Sequence, residues 1–369
     1  MLDYLDVKDK QKLLAMGYSV IRKLGEGSFS KVYLALYANP RSTEKKEFPR
    51  DQQVRLAVKL IDKDNIPEDM ICYLDREIHL LGNLSHPHII HVHSVLRRSN
   101  LHLIFMRHAE YGNLCNFLQT YGSLKEKFAR IWTRQIALAL SYLHYLEVAH
   151  RGVKCENILV TANNNVKLSD FGFARFTENE FGVPVQCSTF CGTLPYAAPE
   201  IIRGRSPYDG KLADVWSLGV VLYVMLNKCL PFKSDNLAAL WTDQVKQNYR
   251  FLREVRAAVT PEAVTVTELL LQPNPKERLP LDSLLKSKWM AMEPSLLEMS
   301  VTERLAMKQA EKVKETIIPN KVKVRDEDEQ LLFTEEDAEY RALVERDPCD
   351  FEVVQKVNRG TYTHNLLPL

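Results

Sequence analysis

Two glycines one residue apart open the stretch Gly25-Glu26-Gly27-Ser28-Phe29-Ser30-Lys31-Val32. Lacking Cβ atoms, they let the backbone approach a polyphosphate closely enough for main-chain N–H groups to meet its oxygens. An ordinary hairpin turn has the same signature, so the pair alone decides nothing. Further on, the apolar run Leu56-Ala57-Val58 ends on Lys59. A lysine embedded in a strand is costly unless paired, which calls for a ligand phosphate or a carboxylate opposite it. Glu77, in the amphipathic stretch from Met70 to Leu81, is the natural partner; the alternative is a solvated helix carboxylate beside Arg76.

The motifs that follow arrive in a fixed order. His150-Arg151-Gly152-Val153-Lys154-Cys155-Glu156-Asn157 comes first, then Asp170-Phe171-Gly172, Ala198-Pro199-Glu200 and Asp214-Val215-Trp216-Ser217-Leu218-Gly219. In order and spacing they resemble the protein kinase superfamily, over about Tyr18 to Trp289. The resemblance implies an α+β, bilobal protein kinase fold with a mostly β small lobe (about 18–106), one regulatory helix within it, and a larger, mostly α lobe (about 110–289). It also implies ATP and Mg²⁺. Lys59, held by Glu77, would meet the α and β phosphates. Asn157 and Asp170 would supply the hard oxygen ligands Mg²⁺ prefers, and Lys154 would be a further catalytic residue, one that the family's loop carboxylate helps to orient along with Thr193. Leu24, Gly25, Gly27, Val32, Ala57 and Leu159 would enclose the nucleotide, with main-chain groups of Arg107 and Ala109 bonding adenine. Met106 falls at the gatekeeper position. Thr189 falls where such kinases accept a regulatory phosphate, with Arg151 and Arg175 placed to pair with it. Asp214 and the pair Glu200 and Arg278 would be structural.

The pattern departs at two places. It calls for an aspartate at 152, to accept the proton of the substrate hydroxyl, and Gly152 can accept nothing. Its third loop glycine is here Ser30, which should stiffen the loop tip. General-base help is typically worth about 10²–10⁴-fold, a large handicap when lost. It is not an absolute bar, because positioning and charge neutralisation carry most of phosphoryl transfer. Glycine also frees the backbone where the loop must be rigid, and Glu156 lies in the wrong part of the loop to replace the carboxylate. Two readings follow: a pseudokinase that binds ATP and works as a switch or scaffold, favoured here, and a slow serine/threonine kinase. A third, an interaction module with an empty cleft, is disfavoured because nothing blocks the phosphate site.

The wording of Lys167-Leu168-Ser169-Asp170-Phe171-Gly172-Phe173, Tyr196-Ala197-Ala198-Pro199-Glu200 and Lys154-Cys155-Glu156-Asn157 is similar to that of the testis-specific serine/threonine kinases, within the calmodulin-dependent kinase group. Protein substrates or signalling partners are implied. Glu156, at a position that in basophilic relatives faces an arginine, suggests peptides with Arg upstream of Ser or Thr.

Composition is consistent with this. The chain has 369 residues, 46% apolar and 26% charged, which is ample for a core. A net charge of +2 gives no reason to expect a nucleic-acid or membrane partner. Seven scattered cysteines read as reduced thiols in a cytoplasmic protein, with Cys187 and Cys191 as unrelated neighbours and not a metal or redox pair. Met1 to Asp6 lacks the flank and core of a secretory signal, and Val215 to Leu226 is too short to span a bilayer and reads as a buried helix.

The elements that must position these groups follow from periodicity. Tyr18 to Met106 alternates apolar and polar positions, interrupted by a solvated loop at Arg41 to Lys46. From Lys125 the pattern is helical, with Phe128, Trp132, Ile136, Leu140 and Leu143 marking one buried face. Residues 1–17 form an N-terminal extension and 290–369 a charged tail. Within it, Glu303 to Glu315 is rich in helix formers, whereas Asp326 to Glu329 and Thr334 to Asp337 are acidic and solvated. A helix lying back on the domain and a mobile tail fit this composition equally.

Overall fold

The structure is a computed structural model that describes residues 7–27, 29–38, 54–98, 100–179, 181–188, 193–204, 207–234 and 236–317. Strands β1 (Tyr18–Glu26), β2 (Ser30–Tyr37), β3 (Val54–Asp62), β4 (Val92–Arg98) and β5 (Leu101–Arg107) form one antiparallel sheet in the order β1-β2-β3-β5-β4. Period-two alternation gives the sheet two apolar faces. On β5, Leu103 and Phe105 join one cluster, closed by Leu13 of helix α1 (Val7–Ala15), while Ile104 joins the other, closed by Leu74 and Ile78 of α2 (Glu68–Asn83).

The large lobe is helical. Helix α3 (Leu114–Tyr121) leads to α4 (Glu126–Tyr145), which is buried continuously from Ala129 to Leu140. The expected apolar stripe is part of this: Trp132, Ile136, Leu140 and Leu143 are buried, but so are Thr133, Arg134 and Gln135, and Phe128 is only half-buried. The helix lies at the centre of the lobe and is covered on every side. Short strands β6 (Val148–Ala149), β7 (Ile158–Val160), β8 (Val166–Leu168) and β9 (Arg175–Phe176) carry the loops of the site, pairing β6 with β9 and β7 with β8. Helices α5 (Pro199–Arg203) and α6 (Gly210–Asn227) follow, and the run from Val215 to Leu226 lies within α6. Next come α7 (Leu237–Val245), α8 (Arg253–Ala258), α9 (Pro261–Leu270), α10 (Leu281–Leu285) and α11 (Lys288–Ala291). At Gly219 a Cβ would come within 2.9 Å of Leu270 Cβ, so only glycine lets α6 and α9 approach this closely.

Packing continues past Trp289. Helix α12 (Val301–Ile317) lies on the domain, and Leu296, Ala306, Ala310 and Ile317 belong to the same core as α4 and α6. Its start is a reciprocal cap: Glu303 N–H donates to Ser300 Oγ at 3.1 Å and Ser300 N–H donates to Glu303 Oε2 at 2.8 Å. Glu303 is also buried against Arg134 Nη1 at 2.8 Å and His88 Nε2 at 2.9 Å. Those two partners override the penalty of burial and hold its carboxyl well below the usual carboxylate range. Of the two alternatives for the tail, residues 301–317 take the helix. Met1 to Asp6, Arg41 to Lys46, Thr189, Cys191, Asp326 to Glu329 and Thr334 to Asp337 lie outside the described residues. Among the described residues no helix is long and apolar enough to cross a membrane.

Candidate active site

Lys59 sits mid-strand in β3, between Val32 of β2 and Ile104 of β5. Its ammonium lies 2.6 Å from Glu77 Oε1 and 3.3 Å from Asp170 Oδ1. Burial opposes the charge on Lys59, but the two carboxylates override it and hold the group above its ordinary range. Glu77 is 5% exposed, and burial pushes its carboxyl upward against the pull of Lys59. The charge of Lys59 holds the Asp170 carboxyl low. Asp170 has φ 64°, a left-handed conformation costly for a non-glycine residue, and its successor fixes it there. Phe171 is fully buried with its ring edge-on to His150, centroids 4.9 Å apart.

The loop at 150–157 is organised from α6. Asp214 accepts the N–H of His150 at 2.8 Å and that of Arg151 at 2.7 Å, which pins Arg151 at φ 56°. Gly152 N–H donates to His150 Nδ1 at 3.2 Å, and its carbonyl accepts from Asn157 Nδ2 at 2.8 Å. Lys154 Nζ donates to Thr193 Oγ1 at 2.9 Å. A Cβ added to Gly152 meets nothing nearer than the His150 ring at 3.4 Å and Asn157 Nδ2 at 3.5 Å. Neither its backbone conformation nor its neighbours require a glycine. With the Asn157 amide nitrogen committed to the loop, no described hydrogen bond engages its Oδ1. That oxygen and the Asp170 carboxylate are a donor set that fits Mg²⁺.

On the nucleotide side, Gly27 N–H donates to the Ser30 carbonyl at 2.8 Å, and a Cβ on Gly27 would lie 3.1 Å from Ser30 Oγ. A side chain at 27 would require Ser30 Oγ to shift by a few tenths of an ångström. Gly25 pairs with Val32, Leu24 is partly exposed on β1, Ala57 faces Met106 in register, and Leu159 bridges to Asn113. The Arg107 N–H is taken by the His91 carbonyl at 2.9 Å. Its guanidinium turns to Glu110 at 3.1 Å, and Glu110 in turn accepts the N–H of Ala162 at 2.8 Å. The unusual arginine thus stitches the hinge to the large lobe, and the Ala109 N–H has no main-chain partner among the described residues.

Elsewhere, Arg278 grips Glu200 through two bonds of 2.7 and 2.6 Å and lies 5.2 Å from the Trp216 ring centroid. Arg151 donates to the Phe173 carbonyl at 2.8 Å and to the Tyr208 hydroxyl at 3.4 Å, and Arg175 pairs with Ala149 across β6 and β9. Thr189 being outside the described residues, no pairing with either arginine is described. Burial pushes the Cys155 thiol up to about 12, so this cysteine of the catalytic loop is not a nucleophile. Sequence reasoning missed His79, whose Nε2 donates to the Ile317 carbonyl at 2.8 Å, and the buried trio of His88, Arg134 and Glu303. One signal was available: Ser300-Val301-Thr302-Glu303 is a capping box, which starts α12 before Glu303.

Comparison with known proteins matches the protein kinase domain family to residues 18–290. The chain is 35% identical over 284 residues to testis-specific serine/threonine-protein kinase 1 of Mus musculus, covering 76% of this chain and 74% of that one. It is 34% identical over 279 residues to serine/threonine-protein kinase SIK2 of Gallus gallus, and 34% identical over 290 residues to serine/threonine-protein kinase SIK1 of Mus musculus. These matches cover 76% and 78% of this chain but only 32% and 34% of those proteins, so the chain spans about a third of the length of the SIK relatives.

Proposed function

The chain belongs to the protein kinase family, with homology to serine/threonine kinases, and from that premise we propose that it binds ATP with Mg²⁺ while its phosphoryl transfer is severely weakened by Gly152, so that it acts chiefly as a nucleotide-responsive switch or scaffold. The observation that carries this reading is the asymmetry of the cleft. Lys59 lies 2.6 Å from Glu77 and 3.3 Å from Asp170, whereas position 152 offers no proton acceptor. Lys59 would hold the phosphates, Asp170 and Asn157 Oδ1 would hold Mg²⁺, and the Ala109 N–H would bond adenine. The metal would supply neutralisation of phosphate charge that no side chain provides alone.

The second reading, a slow serine/threonine kinase, is favoured by the bond from Lys154 to Thr193, which keeps a cation beside the place of transfer. A shallow pocket beside Gly152, lined by Lys154, Phe173, Thr193, Tyr196 and Ser217, would seat the acceptor side chain. Glu156 is exposed at the edge of the loop, which supports a peptide with Arg upstream of the acceptor. The free thiols of Cys115, Cys155 and Cys229 support a cytosolic setting.

Thermal unfolding with and without ATP and Mg²⁺ tests the binding claim, and a radiolabelled phosphate-transfer assay beside Gly152→Asp tests the impairment. No stabilisation by ATP and Mg²⁺, under conditions where an active relative is stabilised, overturns the reading. Transfer by the native chain at the rate of an active relative overturns its second half.

A further inference from the structure

Helix α2 carries two functional groups on different sides. Glu77 points to Lys59, and His79, two residues on, is turned about 200° away around the helix. His79 Nε2 meets the Ile317 carbonyl at 2.8 Å, so Nε2 carries the proton. Ile317 is the last described residue of α12, and its carbonyl accepts from His79 of α2.

The same end of α12 is fixed to the large lobe. Lys314 Nζ lies 4.6 Å from the Tyr145 ring centroid and 3.8 Å from Glu147 Oε1. Glu147 also accepts from Thr177 Oγ1 at 3.0 Å, beside the strand pair that frames the catalytic loop and the activation segment. The His79 ring is 6.4 Å from that of Phe176 on β9. The other end of α12 is anchored through Glu303 to Arg134 of α4 and to His88. Helix α12 is thus attached to the large lobe at both ends and touches α2 at the residue two positions from the cleft carboxylate.

We propose that His79 is a positioning residue and α12 the strut it leans on: together they set the rotation of α2 that brings Glu77 onto Lys59, and so tune nucleotide affinity from a segment beyond the family-matched domain. Only the affinity arm of the test rests on the nucleotide-binding reading above.

The test compares the native chain with His79→Ala, with His79→Gln, which keeps a donor at similar reach, and with a chain ending at residue 312, which keeps Glu303 and removes Lys314 and Ile317. Amide hydrogen exchange is followed in the ligand-free proteins, and the Kd for ATP with Mg²⁺ is measured separately. His79→Ala and the shortened chain should exchange faster in α2 and bind the nucleotide roughly five-fold more weakly, the shift that losing one net hydrogen bond produces. Exchange in α4 and α6 should not change, and His79→Gln should return both readouts toward native values. Unchanged α2 exchange in the shortened chain overturns the proposal, as does an equal effect of alanine and glutamine. If the native chain binds no nucleotide, the function proposed above fails, and the exchange arm still decides whether α12 orders α2.

Discussion

The side-chain amide of Asn157 donates to the carbonyl of Gly152 at 2.8 Å, closing the catalytic loop on itself. With the Gly152 N–H held by the His150 ring and the two preceding N–H groups held by Asp214, the loop has its shape without a carboxylate at 152. Position 152 offers no proton acceptor, yet the loop around it leaves room for a side chain.

Restoring the acceptor should therefore restore chemistry. Gly152→Asp places its Cβ in ordinary contact with the His150 ring and Asn157, and should raise phosphoryl transfer by at least ~10²-fold. Single-turnover assays with peptides carrying Arg upstream of Ser or Thr measure it. Equal rates for native and variant chains would mean that another group takes the proton or that none is needed.

Lys59→Met should cost both stability and ligand response. It leaves Glu77 buried beside Asp170 with their shared cation gone, and breaking a buried pair in this way typically costs about 3–5 kcal/mol. Adding Glu77→Gln should return much of the thermal midpoint without returning the shift produced by ATP and Mg²⁺. A double variant no more stable than Lys59→Met would show that the pair is not the source of the loss.

Arg278→Lys keeps the charge and loses the fork. One ammonium cannot make the two parallel bonds to Glu200 or lie flat against Trp216, so unfolding by urea should show a loss of roughly 2 kcal/mol despite the conserved charge. An unchanged midpoint would reduce the pair to simple charge attraction.

A pH effect should arise in the small lobe. His102 is buried on β5, and neither ring nitrogen has a partner among the described residues. Burial, with Lys63 and Arg97 adding to it, holds its pKa down at about 4. In the unfolded chain it takes its proton near 6.5, so its contribution to stability is fully present above about pH 6.5 and is lost as pH falls toward about 4. At pH 5 the loss should be roughly 1 kcal/mol after allowance for screening, and His102→Phe should flatten the stability curve between pH 7 and 5 by that amount. Parallel curves would assign the acid sensitivity elsewhere.

Much of the site was legible in the sequence because its chemistry restricts residue types. A lysine embedded in an apolar strand has few acceptable surroundings, and Glu77 lay on a helix with the right period to meet it. Helix α4 was legible as a helix, but its stripe understated its burial, since an apolar face marks one covered side and cannot report that a second layer covers the other. Arg134 reads locally as a solvated charge; its partner lies 169 residues further along the chain. His79 carried no pattern at all, because its partner is a main-chain carbonyl, which every residue has.

The trio of Arg134, His88 and Glu303 makes the matched family segment a poor guide to where the protein can be cut. Arg134 and His88 lie inside residues 18–290, and the carboxylate that neutralises the guanidinium lies outside them. A fragment ending at 290 would contain every motif of the family and still strand a cation in its core. The unit that folds is longer than the segment the family model matches, and the boundary between domain and tail falls no earlier than Glu303.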